Sequence, residues 1–191
     1  MLAAALWVLI FIVPPFEFWI VLASSTLVLL LIALFVSRGS IGTKTSVKLV
    51  VFGIVSAVLL YWLFYFGYQA MKFSPIFSEG VNRLYALRWD EPPWLVALLL
   101  IFPIGLGEEF YWRGLVQRAF SEKMGSYAGI GFASLAYCLV HIPTVNFPLI
   151  LTAMIGGLVW GSLYQVTKSL TPGIVSHVLW DIMIFVLFPL H

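Results

Sequence analysis

The chain has 191 residues, 62% of them hydrophobic and 9% charged, with a formal net charge of +2 and a mean hydropathy of +1.06. A soluble domain carries about 25% charged residues, so this composition excludes one and defines an integral membrane protein. The small net charge argues against a nucleic-acid partner, and the basic residues are better read as topology signals.

About 20 apolar residues cross the roughly 30 Å of a bilayer's hydrocarbon. The first apolar run, 2–13, is half that length and ends at Pro14-Pro15. It reads as a half-helix, an interfacial segment or the kinked start of the next span. No Lys or Arg precedes it, so it reads as retained rather than as a cleaved signal. Residues 16–36 are long enough to span. The following loop carries Arg38, Lys44 and Lys48 and no acid, which predicts a cytoplasmic position. Residues 47–70 form the next span. The connection 71–93 is the longest polar one. In it Val81, Leu84 and Leu87 recur at helical spacing, with Arg83 and Arg88 elsewhere on the wheel. That pattern predicts an amphipathic helix at the interface. Spans at 94–113, 127–141, 148–167 and 172–190 follow. The single cysteine, Cys138, lies in an apolar run as a packed thiol. The expected fold is an all-α polytopic bundle of about six to eight transmembrane helices. Residues 1–93 read as an N-terminal transmembrane region with the interfacial connection, and 94–191 as a motif-bearing core, together one membrane domain.

Ionisable groups at mid-membrane cost roughly 2.5–3.5 kcal/mol each on insertion scales, which makes them functional candidates. Those inside or beside the spans are Glu17, Glu108, Glu109, Arg113, His141, His177 and Asp181. Glu109 precedes Arg113 by four, the favourable order for an ion pair on a helix. The pair therefore reads first as a structural clamp. Glu108 is rotated about 100° from Glu109 and lacks that partner, which suits it to general-base work. His141 closes its apolar run, either as an interfacial histidine or as a site residue. His177 and Asp181 share one helix face. They can form a satisfied buried pair, share a metal or bind a polar substrate group. Together these residues are a set that activates water on a carbonyl, with or without Zn²⁺. The His-Glu-x-x-His pattern of soluble metalloproteases is absent. At 1.5 Å per residue, Glu108 would lie roughly 21 Å from the outer end of its span, His141 near the outer face and His177 near the inner end. Straight helices would thus hold the three at different depths.

Three segments resemble the motifs of the CAAX-protease and bacteriocin-processing family, also called the Abi family, to which the eukaryotic prenyl-protein endopeptidase belongs. The first motif is two glutamates, three residues and an arginine, here Glu108-Glu109-Phe-Tyr-Trp-Arg113 with Gly114 next. The second is phenylalanine, three residues and histidine, here Tyr137-Cys-Leu-Val-His141, so tyrosine replaces phenylalanine. The third is histidine, three residues and asparagine or aspartate, here His177-Val-Leu-Trp-Asp181. The resemblance implies an intramembrane endopeptidase in which Glu108 activates water with help from His141. It implies that His177 and Asp181 stabilise the oxyanion or complete a metal site. Glu108, His141, His177 and Asp181 would then be the ligands of a Zn²⁺. A metal-free site is the preferred expectation, because an acid beside histidines suffices for base catalysis. The expected partners are a membrane-associated protein or peptide substrate and the lipid bilayer, and the expected location is a prokaryotic inner membrane. Two rivals stay open: a small proton-coupled transporter, and a non-catalytic scaffold or immunity protein of the same fold.

Overall fold

The computed structural model describes residues 2–12, 18–37, 41–87 and 91–190. The Pro14-Pro15 step, Glu17, Arg38, Arg88 and Asp90 lie outside the described residues. Among those described, helices form the whole regular structure and no strand occurs. In chain order they are α1 (Leu2–Ile12), α2 (Phe18–Ser37), α3 (Val47–Met71), α4 (Pro75–Ala86), α5 (Pro93–Met124), α6 (Ser126–Val140), α7 (Phe147–Thr167) and α8 (Thr171–Leu187).

Five of these are long and apolar enough to cross a membrane: α2, α3, α5, α6 with its short continuation to Thr144, and α7. The shorter apolar α8 joins them. The chain is an all-α polytopic membrane protein. Val51, Leu59 and Phe66 of α3 are exposed, an arrangement stable where lipid, not water, meets that face. Its other face packs on α8, while α6 packs on α7, and α2 along α5. The half-length α1 leans on α2 and α6.

Local signals explain the helix ends. Ser46 Oγ accepts the Leu49 N–H at 3.3 Å and caps α3. Asn146 caps α7 by accepting from Leu149 N at 3.1 Å, and its amide donates to the Gly80 carbonyl at 2.8 Å, which ties α7 to α4. Gly125 sits at φ 87°, between α5 and α6, a conformation L side chains rarely adopt.

The amphipathic helix expected in 71–93 is α4. Val81 and Tyr85 are buried and Arg83 is exposed. The Tyr85 hydroxyl donates to the Ile184 carbonyl and accepts from Leu190 N–H, each at 3.0 Å.

The 32-residue α5 is not straight. Phe102 leaves helical geometry, at φ −148° and ψ 129°, and Pro103 follows without an N–H to continue the ladder. One α-helical turn, Leu106–Glu109, then lies between wider π-type stretches over Leu100–Gly105 and Phe110–Gln117. A uniform rise per residue from Trp94 therefore misplaces Glu108, and the depth conflict expected from straight helices does not apply. Beside that turn Gly107 lets α5 approach α2, since a Cβ there would collide with the Thr26 carbonyl.

Candidate active site

The α-helical turn Leu106–Glu109 of α5 points its two neighbouring carboxylates to different partners. Glu108 and Glu109 are both buried, as is Arg113. Glu109 Oε1 lies 3.0 Å from Arg113 Nη1, the clamp expected from their spacing. The same oxygen lies 3.0 Å from His177 Nδ1 on α8, which the spacing did not reveal. Arg113 Nη2 also donates to the Gly156 carbonyl at 3.4 Å. Its guanidinium lies over the rings of Tyr137 and Trp160, 5.1 and 5.2 Å from their centroids. A buried charge needs such compensation, because water cannot supply it.

His177 is set on three sides. Its ring stacks on Trp160 at 3.7 Å between centroids and 18° between planes. Glu109 holds Nδ1, and Asp181 Oδ2 stands 3.5 Å from Nε2. The expected His177–Asp181 neighbourhood on one face of α8 is present.

His141 caps the end of α6. Its Nδ1 lies 2.7 Å from the Tyr137 carbonyl, and its Nε2 lies 3.1 Å from Trp7 Nε1. A carbonyl only accepts and an indole N–H only donates, so the imidazole is the neutral tautomer with its proton on Nδ1. The donor on Nε2 comes from α1, 134 residues away in sequence.

Glu108 receives a different contact. The Tyr137 hydroxyl donates to Glu108 Oε2 at 2.5 Å. Among the described residues the other oxygen, Oε1, accepts no hydrogen bond. Glu108, Tyr137, His141, His177 and Asp181 all line one cavity of about 360 Å³. The remaining wall is mainly apolar, with Leu22, Phe64, Val81 and Phe185 among it.

The candidate metal ligands can be tested on this geometry. Among the described residues no group of three or more His, Cys, Asp or Glu is placed to hold a metal ion. Both His141 nitrogens are engaged, one by a backbone carbonyl and one by an indole. His177 faces a carboxylate at each nitrogen. As arranged, Glu108, His141, His177 and Asp181 do not fit a Zn²⁺ site.

Two contributors had no role in the sequence reading. Tyr137 entered it only as the first position of the second motif, although it carried a signal: a buried tyrosine hydroxyl requires a hydrogen-bond partner. Trp7 carried none, because nothing in an apolar run of α1 marks one indole for a distant histidine. Cys138 is buried, its thiol 3.5 Å from the Ile150 carbonyl, as a packed cysteine should be.

These features define a class: a polytopic helical membrane protein with an acid–histidine cluster enclosed among its spans. A family model described as "Rce1-like: Type II CAAX prenyl endopeptidase Rce1-like" matches residues 90–183. That match spans all three motifs and supports the resemblance to the CAAX-protease family of intramembrane endopeptidases. Comparison with curated proteins and with solved structures gives no match.

Proposed function

We propose that this protein hydrolyses a peptide bond in a membrane-associated protein or peptide, with Glu108 as general base. The observation that carries the reading is the state of Glu108: a buried carboxylate on a cavity, with one oxygen held by Tyr137 and the other, among the described residues, accepting no hydrogen bond. A base must reach its proton directly or through one water. A water bound to Oε1 would meet that condition, in the cavity that Glu108 lines together with both histidines.

In the proposed reaction Oε1 takes a proton from water as the water oxygen bonds to the scissile carbonyl carbon. The carbonyl oxygen becomes the oxyanion. His177, anchored at Nδ1 by Glu109, offers a proton on the opposite nitrogen to it. Collapse of the intermediate breaks the C–N bond, and the proton held by Glu108 passes to the leaving nitrogen. His141 supports the attacking water through Nε2 once the Trp7 indole, which now donates to that atom, gives way. Asp181 orients His177 from 3.5 Å. The substrate comes from lipid or the membrane surface, since the cavity wall is mostly apolar. The short connections between helices suit a prokaryotic cell membrane.

The test compares protein termini in membranes that carry the wild type or Glu108→Gln. New N-termini present only with the wild type would support the reading and name substrates. Identical termini, with both proteins folded and abundant, would reject it in favour of a carrier or scaffold.

A further inference from the structure

Tyr137, the position at which tyrosine replaces the second motif's phenylalanine, touches several groups of the site at once. Its hydroxyl donates to Glu108 Oε2 at 2.5 Å. Its ring receives the Arg113 guanidinium at 5.1 Å. Its carbonyl takes the Nδ1 proton of His141 at 2.7 Å, and the two rings meet edge to face at 4.9 Å. Trp112 closes a further side of the ring at 5.2 Å. Tyr137 is itself buried. Packing on these sides restrains the ring, and with it the hydroxyl beside Glu108.

A carboxylate has two oxygens and a rotatable bond, and a base with both free can present either. Donation to Oε2 removes that choice. An O–H on an ionised oxygen is among the stronger hydrogen bonds. A phenylalanine of the same ring shape would keep the contacts to Arg113, Trp112 and His141 and lose only the hydroxyl. The function of the hydroxyl is thus separable from the packing of the ring.

We infer that Tyr137 is a positioning residue: its hydroxyl fixes Glu108 by Oε2 so that Oε1 alone faces the cavity as the base. This rests on the reading of Glu108 as the base. Groups of charge or proton around the same carboxyl are Arg113 and Glu109 on α5, His177 and Asp181 on α8, and Tyr137 on α6. Tyr137 alone among them makes a hydrogen bond to Glu108 among the described residues.

Labelling by dicyclohexylcarbodiimide tests the inference on the full chain in lipid vesicles, without any need for peptide cleavage. This apolar reagent adds to a carboxyl oxygen that is free to take a proton. Modification of Glu108 is followed by peptide mass spectrometry at one fixed pH. Tyr137→Phe should speed it by roughly tenfold, the factor expected for loss of a hydrogen bond to a charged group. Incorporating 3-fluorotyrosine at position 137 supplies a stronger donor in nearly the same shape, and it should slow the labelling below wild type. Tyr61→Phe removes a buried hydroxyl that donates elsewhere, to the Phe188 carbonyl, and should leave the Glu108 rate unchanged. A packing role would not order phenylalanine, tyrosine and fluorotyrosine in that sequence. Equal rates across the three, or no labelling of Glu108 in Tyr137→Phe, would overturn the inference, and the fluorotyrosine arm decides if Tyr137→Phe does not fold. The expected order together with normal cleavage by Glu108→Gln would leave the hold on Glu108 intact and reject the base assignment instead.

Discussion

Glu109 holds His177 by the same oxygen that pairs with Arg113: Oε1 is 3.0 Å from His177 Nδ1 and 3.0 Å from Arg113 Nη1. A clamp within α5 is therefore also the anchor of a histidine on α8. The acid that reads as structural sets the orientation of a candidate site residue.

Arg113→Ala should lower stability and activity together. Removing one partner of a buried ion pair costs about 3–5 kcal/mol, because the other charge is left without compensation. Here it also frees the carboxylate that anchors His177. The expected result is a reduced yield of folded protein and a lower thermal midpoint in detergent. An unchanged midpoint with full cleavage would remove the clamp from both roles.

Glu108→Gln should behave in the opposite way. Glutamine keeps the shape and can still accept from Tyr137, so the fold should persist. It cannot take a proton from water. Cleavage should fall by at least about a hundredfold, the usual share of a general base, with the thermal midpoint within a few degrees. A midpoint collapse matching that of Arg113→Ala would mark Glu108 as structural.

Asp181→Asn distinguishes two chemistries. In a metal-free site the aspartate only orients His177, and asparagine retains an acceptor while adding a donor. Substantial activity should remain, and chelators should not change cleavage by the wild type. Stoichiometric zinc in purified protein, with cleavage lost on chelation and restored by Zn²⁺, would show that the site rearranges to hold a metal.

Trp7→Phe tests whether α1 belongs to the site. The indole N–H now covers His141 Nε2 at 3.1 Å. Its removal should make His141 react several-fold faster with diethyl pyrocarbonate, read by peptide mass spectrometry. Destabilisation should be modest, about 0.5–1.5 kcal/mol for one hydrogen bond. An unchanged His141 rate would mean that another group shields Nε2.

The sequence made the helices legible because lipid imposes a length and an apolar composition on each span. It also made Glu108, Glu109, Arg113, His141, His177 and Asp181 legible, since a charge or imidazole in an apolar run has a cost that something must offset. What stayed hidden was pairing at long range. The link from Trp7 to His141 crosses 134 residues, and that from Glu109 to His177 crosses 68. Neither leaves a periodic trace. The break at Phe102 was hidden differently: Pro103 marks a fault in the ladder, but neighbouring helices decide how α5 continues beyond it.

The cavity that holds these side chains measures about 360 Å³, near the lower end for small-molecule sites. An α-helix with its side chains is about 10–12 Å across, and a peptide bond inside one is screened by its own turn. On the proposed reading a helical substrate cannot be cut as a helix. It must first unwind over the few residues that enter, and the energy of that unwinding becomes part of the barrier. Selection among membrane-anchored chains would then depend on how readily each one frays, as well as on which side chains it shows. Replacing glycine or proline by leucine beside a mapped cleavage site should slow cutting without touching the scissile pair, and equal rates for both substrates would place selection in side-chain contacts alone.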